Sequence, residues 1–282
     1  MFERNALTQL KEWAARSNHK PLVLRGARQV GKTTLVEQFA QEYEVYLKLN
    51  LEKSTDRQLF ESGMPMEELI STIYLLNNQE RKSVPTLLFI DEIQNSPQAV
   101  AMLRYFYEEV SGIDVVAAGS LLENLIDKHI SFPVGRVEYM AVRPCSFNEF
   151  LGAIDEKGLK AAQRDAALPA PLHDKMLRLF NTYTLIGGMP EVVRSYAESR
   201  DIISLKYIYE TLLTGYRDDV EKYSDTDSMR NTIRHILNAG WIYAGQRITF
   251  EKFGNSLYRS REMSEAFRTL EKTMLLELVY PL

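Results

Sequence analysis

The ten residues RGARQVGKTT, numbered 25 to 34, follow a short apolar run that is typical of a buried strand. Within them, Gly26 and Gly31 frame four residues, and Lys32 and Thr33 come directly after the second glycine. Glycines let backbone amides approach an anion closely, and successive amides then form a concave nest for phosphate oxygens. The pattern G-x-x-x-x-G-K-[ST] therefore predicts a phosphate-binding loop between a strand and a helix.

The loop residues have expected roles toward a nucleotide and its metal. Lys32 would carry positive charge to the β- and γ-phosphates, and Thr33 would offer a hydroxyl ligand to Mg²⁺. A helix that begins here places the positive end of its dipole beneath the phosphates. We expect ATP to be bound by the whole loop: Gly26, Ala27, Arg28, Gln29, Val30, Gly31, Lys32, Thr33 and Thr34.

A second stretch, PTLLFIDEIQ at positions 85 to 94, supplies the acids that nucleotide hydrolysis needs. Its continuous apolar run Leu87–Ile90 is typical of a central parallel strand that is covered on both faces. Asp91 follows at the carboxyl end of this strand, where open α/β sheets bind ligands, and we assign it to Mg²⁺. Glu92 would polarise the attacking water. The alternative is a strand that simply ends in two solvated acids.

Further strands alternate with helices along the chain. Val45–Leu51 alternates apolar and polar residues, which suits an edge strand, and Ile113–Ala118 and Val137–Val142 are two more candidate strands. This alternation predicts an α/β fold with a parallel sheet between helices. Ser120, at the tip of the fourth strand, is a candidate to sense the γ-phosphate or orient water. The alternative role for Ser120 is a plain helix cap.

Composition sets the broad class of the protein. The 282 residues carry a net charge of -4, and 45% of them are hydrophobic, which is ordinary for a globular protein of about two domains. The single cysteine excludes an internal disulfide framework. The start of the chain is unlike a signal peptide, and no long apolar stretch predicts a membrane span. We expect a cytoplasmic protein that does not contact membranes.

Four stretches together resemble one family: RGARQVGKTTL, LLFIDEIQ, AAGSLLE and FPVGRVEYMAVRPCSFNEFL. They are similar to the archaeal and bacterial AAA-type ATPases that are related to the STAND NTPases. The resemblance implies a P-loop NTPase with a five-stranded parallel sheet of AAA+/ASCE type, a helical lid and a winged-helix-like segment. The implied divisions are an ATPase core at 1–150, a helical lid subdomain at 151–240 and the winged-helix-like segment at 241–282.

The resemblance also implies two further sites. Arg136 matches the arginine that such ATPases place near a γ-phosphate, often from a neighbouring subunit in a homo-oligomer. The alternative is a surface or salt-bridged arginine, and Arg104 is a rival that could instead pair with Glu108. Pro190, in a Gly-x-Pro turn, matches a residue that packs near the adenine. Relatives often carry a second hydroxyl residue after Ser120, and this chain does not.

The C-terminal half is mostly helical in pattern, after a polar connection at 152–172 that we expect to be loosely structured. Glu251–Leu257 and Arg261–Met274 predict two helices, and Leu275–Leu282 predicts a terminal strand, which is the outline of a winged helix. Its charge balance is only slightly basic, so DNA contact is weakly supported and a packing module is the alternative. Relatives usually continue into a nuclease-like domain, so we also expect this C-terminus to be shortened.

The leading hypothesis is a Mg²⁺-dependent AAA+-type switch protein that binds and hydrolyses ATP. One alternative is a regulatory or DNA-binding module with little hydrolysis, and another is a small-molecule kinase. Glu92 beside Asp91 favours activation of water over phosphate transfer to a substrate. No Asn-Lys-x-Asp sequence is present to read guanine, which disfavours a GTPase.

Overall fold

The computed structural model describes residues 2–119, 133, 135–162, 168–223 and 226–280. Its centre is a five-stranded sheet in the order β2-β3-β4-β1-β5, and every strand pairs in parallel with its neighbours. The strands are β1 (Leu22–Arg25), β2 (Val45–Asn50), β3 (Thr86–Asp91), β4 (Ile113–Gly119) and β5 (Glu138–Ala141). The predicted α/β class and the edge position of β2 are confirmed, and β4 lies between β1 and β3.

Helices cover both faces of the sheet. One face packs against α1 (Asn5–Ala14) and α2 (Lys32–Phe39). The other packs against α3 (Ser54–Glu61), α4 (Met66–Leu76) and α5 (Pro97–Glu109). Successive strand residues point to opposite faces, so Leu88 and Ile90 enter one core while Leu87 and Phe89 enter the other. The continuous apolar run in β3 therefore supplies side chains to the cores on both faces of the sheet.

The remaining described residues form what we call the helical half, between Cys145 and Tyr280. Residues from several of its helices share one further core that also includes Cys145. The expected loose connection at 152–172 is wrong in part, because helices occupy 157–162 and begin again at 170, while 163–167 lie outside the described residues. The helices are Phe147–Ala153, Lys157–Ala162, Ala170–Ile186, Pro190–Ser199, Lys206–Tyr223, Asp227–Ala239 and Ser260–Lys272.

The end of the chain differs from the expected winged-helix outline. A short 3-10 turn, Phe253–Asn255, stands where the sequence predicted a helix at Glu251–Leu257. Lys252 and Gly254 have φ values of 55° and 60°, and such left-handed residues end a right-handed helix. Residues 275–280 form no strand, so the predicted terminal strand is wrong over the part that the structure describes. In the same described part of the chain, no helix combines the length and apolar character needed to span a bilayer.

Candidate nucleotide and metal site

The phosphate loop joins β1 to α2, as the motif predicts. Gly26 has no space for a side chain, because a Cβ there would lie 2.2 Å from the carbonyl oxygen of Val142. Gly31 adopts φ 87° and ψ 28°, a left-handed conformation that costs glycine little, and α2 begins at the next residue. The loop amides therefore stand at the positive end of a helix.

Lys32 lies inside this loop with only 8% of its surface exposed. Its Nζ donates hydrogen bonds to the carbonyl oxygens of Gly26 and Ala27, at 2.8 and 3.0 Å. Burial lowers the pKa of Lys32 to about 8, although the negative charges of Glu92 and Asp91 oppose the shift. An anion beside this ammonium would replace the solvation that burial removes.

Thr33 and Asp91 meet directly beneath the loop. The hydroxyl Oγ1 of Thr33 donates to Oδ2 of Asp91 at 2.9 Å, although the residues are 58 positions apart. Asp91 is buried, and burial raises the pKa of its carboxyl, while hydrogen bonds from Thr33 and from the backbone amide of Glu92 oppose the rise. A hydroxyl and a carboxylate are hard oxygen donors, so this pair fits Mg²⁺.

The pair does not form a complete metal cage. Among the residues that the structure describes, no group of three or more His, Cys, Asp or Glu side chains is placed to hold a metal ion. Mg²⁺ commonly binds through one or two protein oxygens together with substrate phosphates and water. The sparse donor set therefore suits a magnesium ion that arrives with a triphosphate.

Glu92 follows Asp91 in an unusual backbone conformation. Its φ of 54° and ψ of 43° lie in the left-handed region, which is uncommon for a residue with a side chain. The carboxylate Oε2 accepts a hydrogen bond from Nε2 of Gln94. Glu92 also contributes to the electrostatic field at Lys32 and Arg28. The acid that the sequence assigned to water activation therefore stands at the phosphate loop.

The helical half contacts the phosphate loop through the Lys206–Tyr223 helix. Arg28 of the loop forms an ion pair with Asp219, whose side chain is 4% exposed, and this hydrogen bond raises the pKa of Arg28. Tyr216, one turn earlier, donates its hydroxyl to the carbonyl oxygen of Arg28 at 3.4 Å. Loop and helix enclose a groove of about 650 Å³, which also includes Gln29 and Gly215.

A second contact comes from the turn that contains Pro190. A Cβ built on Gly31 would lie 3.7 Å from Cγ of Pro190, so the proline ring borders the loop. The turn is held by the backbone: the amide of Cys145 donates to the carbonyl oxygen of Gly188 at 2.6 Å. Pro190 thus lies beside the loop, and its contact with adenine stays a prediction.

Arg4 reaches the same place from the start of the chain and was not predicted from the sequence. It is 7% exposed, and its guanidinium donates to Glu149 Oε1 at 3.0 Å, to the carbonyl oxygen of Val30 at 3.3 Å and to that of Arg143 at 2.7 Å. It therefore ties the phosphate loop to the Phe147–Ala153 helix. No local pattern distinguishes Arg4 from a surface arginine.

The two candidate arginines lie elsewhere. Arg136 and Arg104 both donate to Glu108, at 2.6 and 2.9 Å, and lower its pKa, Arg136 having the larger effect. Arg136 precedes β5, whose first residue pairs with the first residue of β1, whereas the phosphate loop follows the last residue of β1. Arg136 therefore lies near the amino ends of the strands, whereas the phosphate loop of the same chain lies at their carboxyl ends. Ser120 lies outside the described residues.

Comparisons with known proteins agree with this geometry. Residues 18–151 match the family described as AAA domain, and residues 177–282 match a domain of unknown function, DUF8612. A comparison with curated proteins found no match. Among solved structures, the Walker-type ATPase PABY2304 of Pyrococcus abyssi is 15% identical with a TM-score of 0.57, and the alignment covers 97% of this chain and 90% of that one.

Two more distant structures align over a similar length. They are the replication initiator DnaA bound to AMPPCP and single-stranded DNA (15% identity, TM-score 0.42, covering 96% of this chain and 88% of that one) and the Aeropyrum pernix Orc1 protein in complex with DNA (15%, 0.38, 97% and 84%). The likeness to the PABY2304 ATPase, which has the higher TM-score, concerns the fold. Residues 18–151 therefore form a domain of the AAA type, with the fold of a P-loop ATPase.

Proposed function

We propose that the chain is a Mg²⁺-dependent ATPase that acts as a switch. The observation that carries the proposal is the 2.9 Å contact between Thr33 and Asp91 beneath the phosphate loop, with Glu92 as the next residue. ATP would be bound by loop residues 26–34, with the β- and γ-phosphates beside Lys32. Thr33 and Asp91 would hold Mg²⁺, which when bound neutralises developing charge on the phosphates.

The protein residues divide the chemistry between them. The loop amides and Lys32 orient the triphosphate and compensate its charge. Glu92 orients and polarises a water molecule for attack on the γ-phosphorus, so that the γ-phosphate leaves from ADP. Ser120, which follows β4 in the sequence, would sense the γ-phosphate. A kinase would need an acceptor in place of water, and the carboxylate of Glu92 supports water activation instead.

The switch would be read out by the helical half. We propose that residues 1–150 form the ATPase core, 151–240 a helical lid and 241–282 a C-terminal segment that packs on the lid. The Arg28–Asp219 ion pair and the proximity of Pro190 to Gly31 support a lid role for residues 151–240, because Asp219 and Pro190 both belong to this range. A change in the loop on hydrolysis would therefore alter lid contacts.

Arg136 would act only in an assembly. Since Arg136 lies near the amino ends of the strands and its own phosphate loop at their carboxyl ends, it would reach a γ-phosphate only in a neighbouring copy. Its ion pair with Glu108 would have to open for that, and both side chains are partly exposed, with Arg136 at 44% and Glu108 at 29%. The pair is therefore accessible to rearrangement. We propose a homo-oligomer that forms with ATP and Mg²⁺.

The test measures ATP turnover and particle size together. Wild-type protein should release phosphate in the presence of Mg²⁺, and Glu92→Gln should bind ATP but lose at least about a hundredfold in kcat. Arg136→Ala should lose turnover without losing ATP binding. Light scattering with ATP and Mg²⁺ should show a larger particle than without them.

Each alternative predicts a different result. Equal rates for wild type and Glu92→Gln would remove Glu92 from the mechanism. Binding without turnover in an assembled wild-type protein would favour a regulatory module. Phosphate transfer that depends on an added acceptor would favour a kinase.

A further inference from the structure

Gln94 lies two residues after Glu92, in the short 3-10 turn Ile93–Asn95 that connects β3 to α5. Both sides of this turn are fixed. Ile93 and Ser96 are fully buried, and Ser96 caps α5 by accepting a hydrogen bond from the amide of Ala99 at 3.2 Å. Gln94 is therefore attached to rigid backbone, so its side chain has a defined position relative to β3.

The side-chain amide of Gln94 uses its two ends differently. Nε2 donates to the carboxylate of Glu92, and only the NH₂ end of an amide can face a carboxylate, since both oxygens would otherwise be acceptors. Oε1 is then directed away, where it is buried and has no hydrogen-bond partner among the described residues. Burial of an unpaired carbonyl costs free energy, and an apolar residue would avoid that cost. Packing alone does not explain a glutamine here.

The backbone of Glu92 makes an anchor necessary. Its left-handed φ and ψ turn the residue away from the direction of β3. The pairing of β3 with its neighbouring strands therefore does not fix the orientation of the Glu92 carboxylate. A charged hydrogen bond from a rigidly attached donor restricts the carboxylate to one orientation. A catalytic group that is already held in position loses less entropy when it reaches the reactive geometry.

We infer that Gln94 is a positioning residue for Glu92: its amide holds the carboxylate in the orientation from which water is polarised. The inference rests on the proposed hydrolysis of ATP by the Glu92 site. Gln94 does not contact the nucleotide in this account and acts only through Glu92. Its effect should consequently appear in kcat and should disappear when Glu92 has already lost its carboxylate.

The experiment compares kcat and KM for ATP in four proteins: wild type, Gln94→Leu, Glu92→Gln and the double variant. Gln94→Leu removes the donor at similar volume and should lower kcat by about tenfold to a hundredfold, with KM changed by less than about twofold. In the Glu92→Gln background, the same change at position 94 should lower kcat by less than about twofold. Gln94→Glu, which sets two carboxylates against each other, should lose at least as much kcat as Gln94→Leu.

Asn95→Ala is the matched control, because Asn95 is in the same turn but exposed. It should keep wild-type kcat. Binding of a fluorescent ATP analogue to each variant checks that the site is folded. The inference would be overturned if Gln94→Leu binds the analogue and keeps wild-type kcat while Glu92→Gln is inactive. Equal losses in both backgrounds would make Gln94 structural. A wild-type rate in Glu92→Gln would instead refute the proposed role of Glu92.

Discussion

The change Glu149→Gln tests whether the buried contact between the start of the chain and the helical half stabilises the fold. Oε1 of Glu149 accepts from Arg4 Nε at 3.0 Å and from the amide of Asn5 at 2.7 Å, while Oε2 accepts from the amide of Ser146 at 2.7 Å. Glutamine has one acceptor oxygen where glutamate has two. Its NH₂ group would therefore face either the Ser146 amide or the Arg4 guanidinium, donor against donor.

The expected cost follows from burial. The side chains of Arg4 and Glu149 are 9% and 5% exposed, and breaking such a pair costs about 3–5 kcal/mol because one charge stays buried without its partner. Since Arg4 keeps its bonds to two carbonyl oxygens, we expect about 3 kcal/mol. With a urea dependence of about 3 kcal/mol per molar, the unfolding midpoint should fall by about 1 M.

The matched control is Glu277→Gln. Arg143 and Glu277 also form an ion pair, at 2.7 Å, but their side chains are 64% and 66% exposed. A pair in solvent contributes less than about 1 kcal/mol, so its midpoint should move by less than about 0.3 M. Equal shifts for Glu149→Gln and Glu277→Gln would refute the reasoning that burial makes the first pair important.

Three further predictions concern the phosphate loop. Burial holds the pKa of Lys32 at about 8, so near pH 9 Nζ is neutral in most molecules without nucleotide. Bound phosphate should raise this pKa, and calorimetry in buffers of different ionisation enthalpy should then detect about one proton taken up with MgATP. Asp219→Asn removes the ion pair with the loop, and amide hydrogen exchange in the Lys206–Tyr223 helix should become about fivefold faster. Gly26→Ala places a Cβ against the Val142 carbonyl, so affinity for a fluorescent ATP analogue should fall at least about tenfold.

Each of these has a control within the chain. Proton uptake should nearly vanish at about pH 7, where Nζ is already charged, and uptake that does not change with pH would exclude Lys32 as its source. Asp218→Asn changes an exposed neighbour and should leave exchange unaltered. Gly112 also has a positive φ, of 78°, but open space around its Cβ position, so Gly112→Ala should affect stability and leave nucleotide affinity unchanged.

Local patterns were sufficient to predict the sheet and the centre of the site. The spacing of Gly26, Gly31 and Lys32 specifies a loop because backbone approach and charge both require those residue types. The apolar run before Asp91 specifies a buried strand, and its acid then falls at the carboxyl edge beside the loop. The alternation in β2 predicts one covered face, and the structure has alternate residues buried there.

Contacts between distant segments had no such signal. Arg4 meets Glu149 across 145 positions, and Arg28 meets Asp219 across 191, and neither pair belongs to a periodic pattern. The wrong prediction of a helix at Glu251–Leu257 has a related cause. Packing holds Gly254 with φ 60° against the Asp227–Ala239 helix, where a Cβ would lie 2.8 Å from His235 Nε2.

The backbone crossing at Cys145 and Gly188 has a consequence for how the molecule comes apart. A Cβ on Gly188 would lie 2.3 Å from the Cys145 carbonyl oxygen, so the two backbone segments touch without side chains between them. Such a crossing closes the loop between residues 145 and 188, and closing a loop costs chain entropy. Since both residues belong to the helical half, heating should free the turn before Pro190 from the segment around Cys145 only when the core of that half opens.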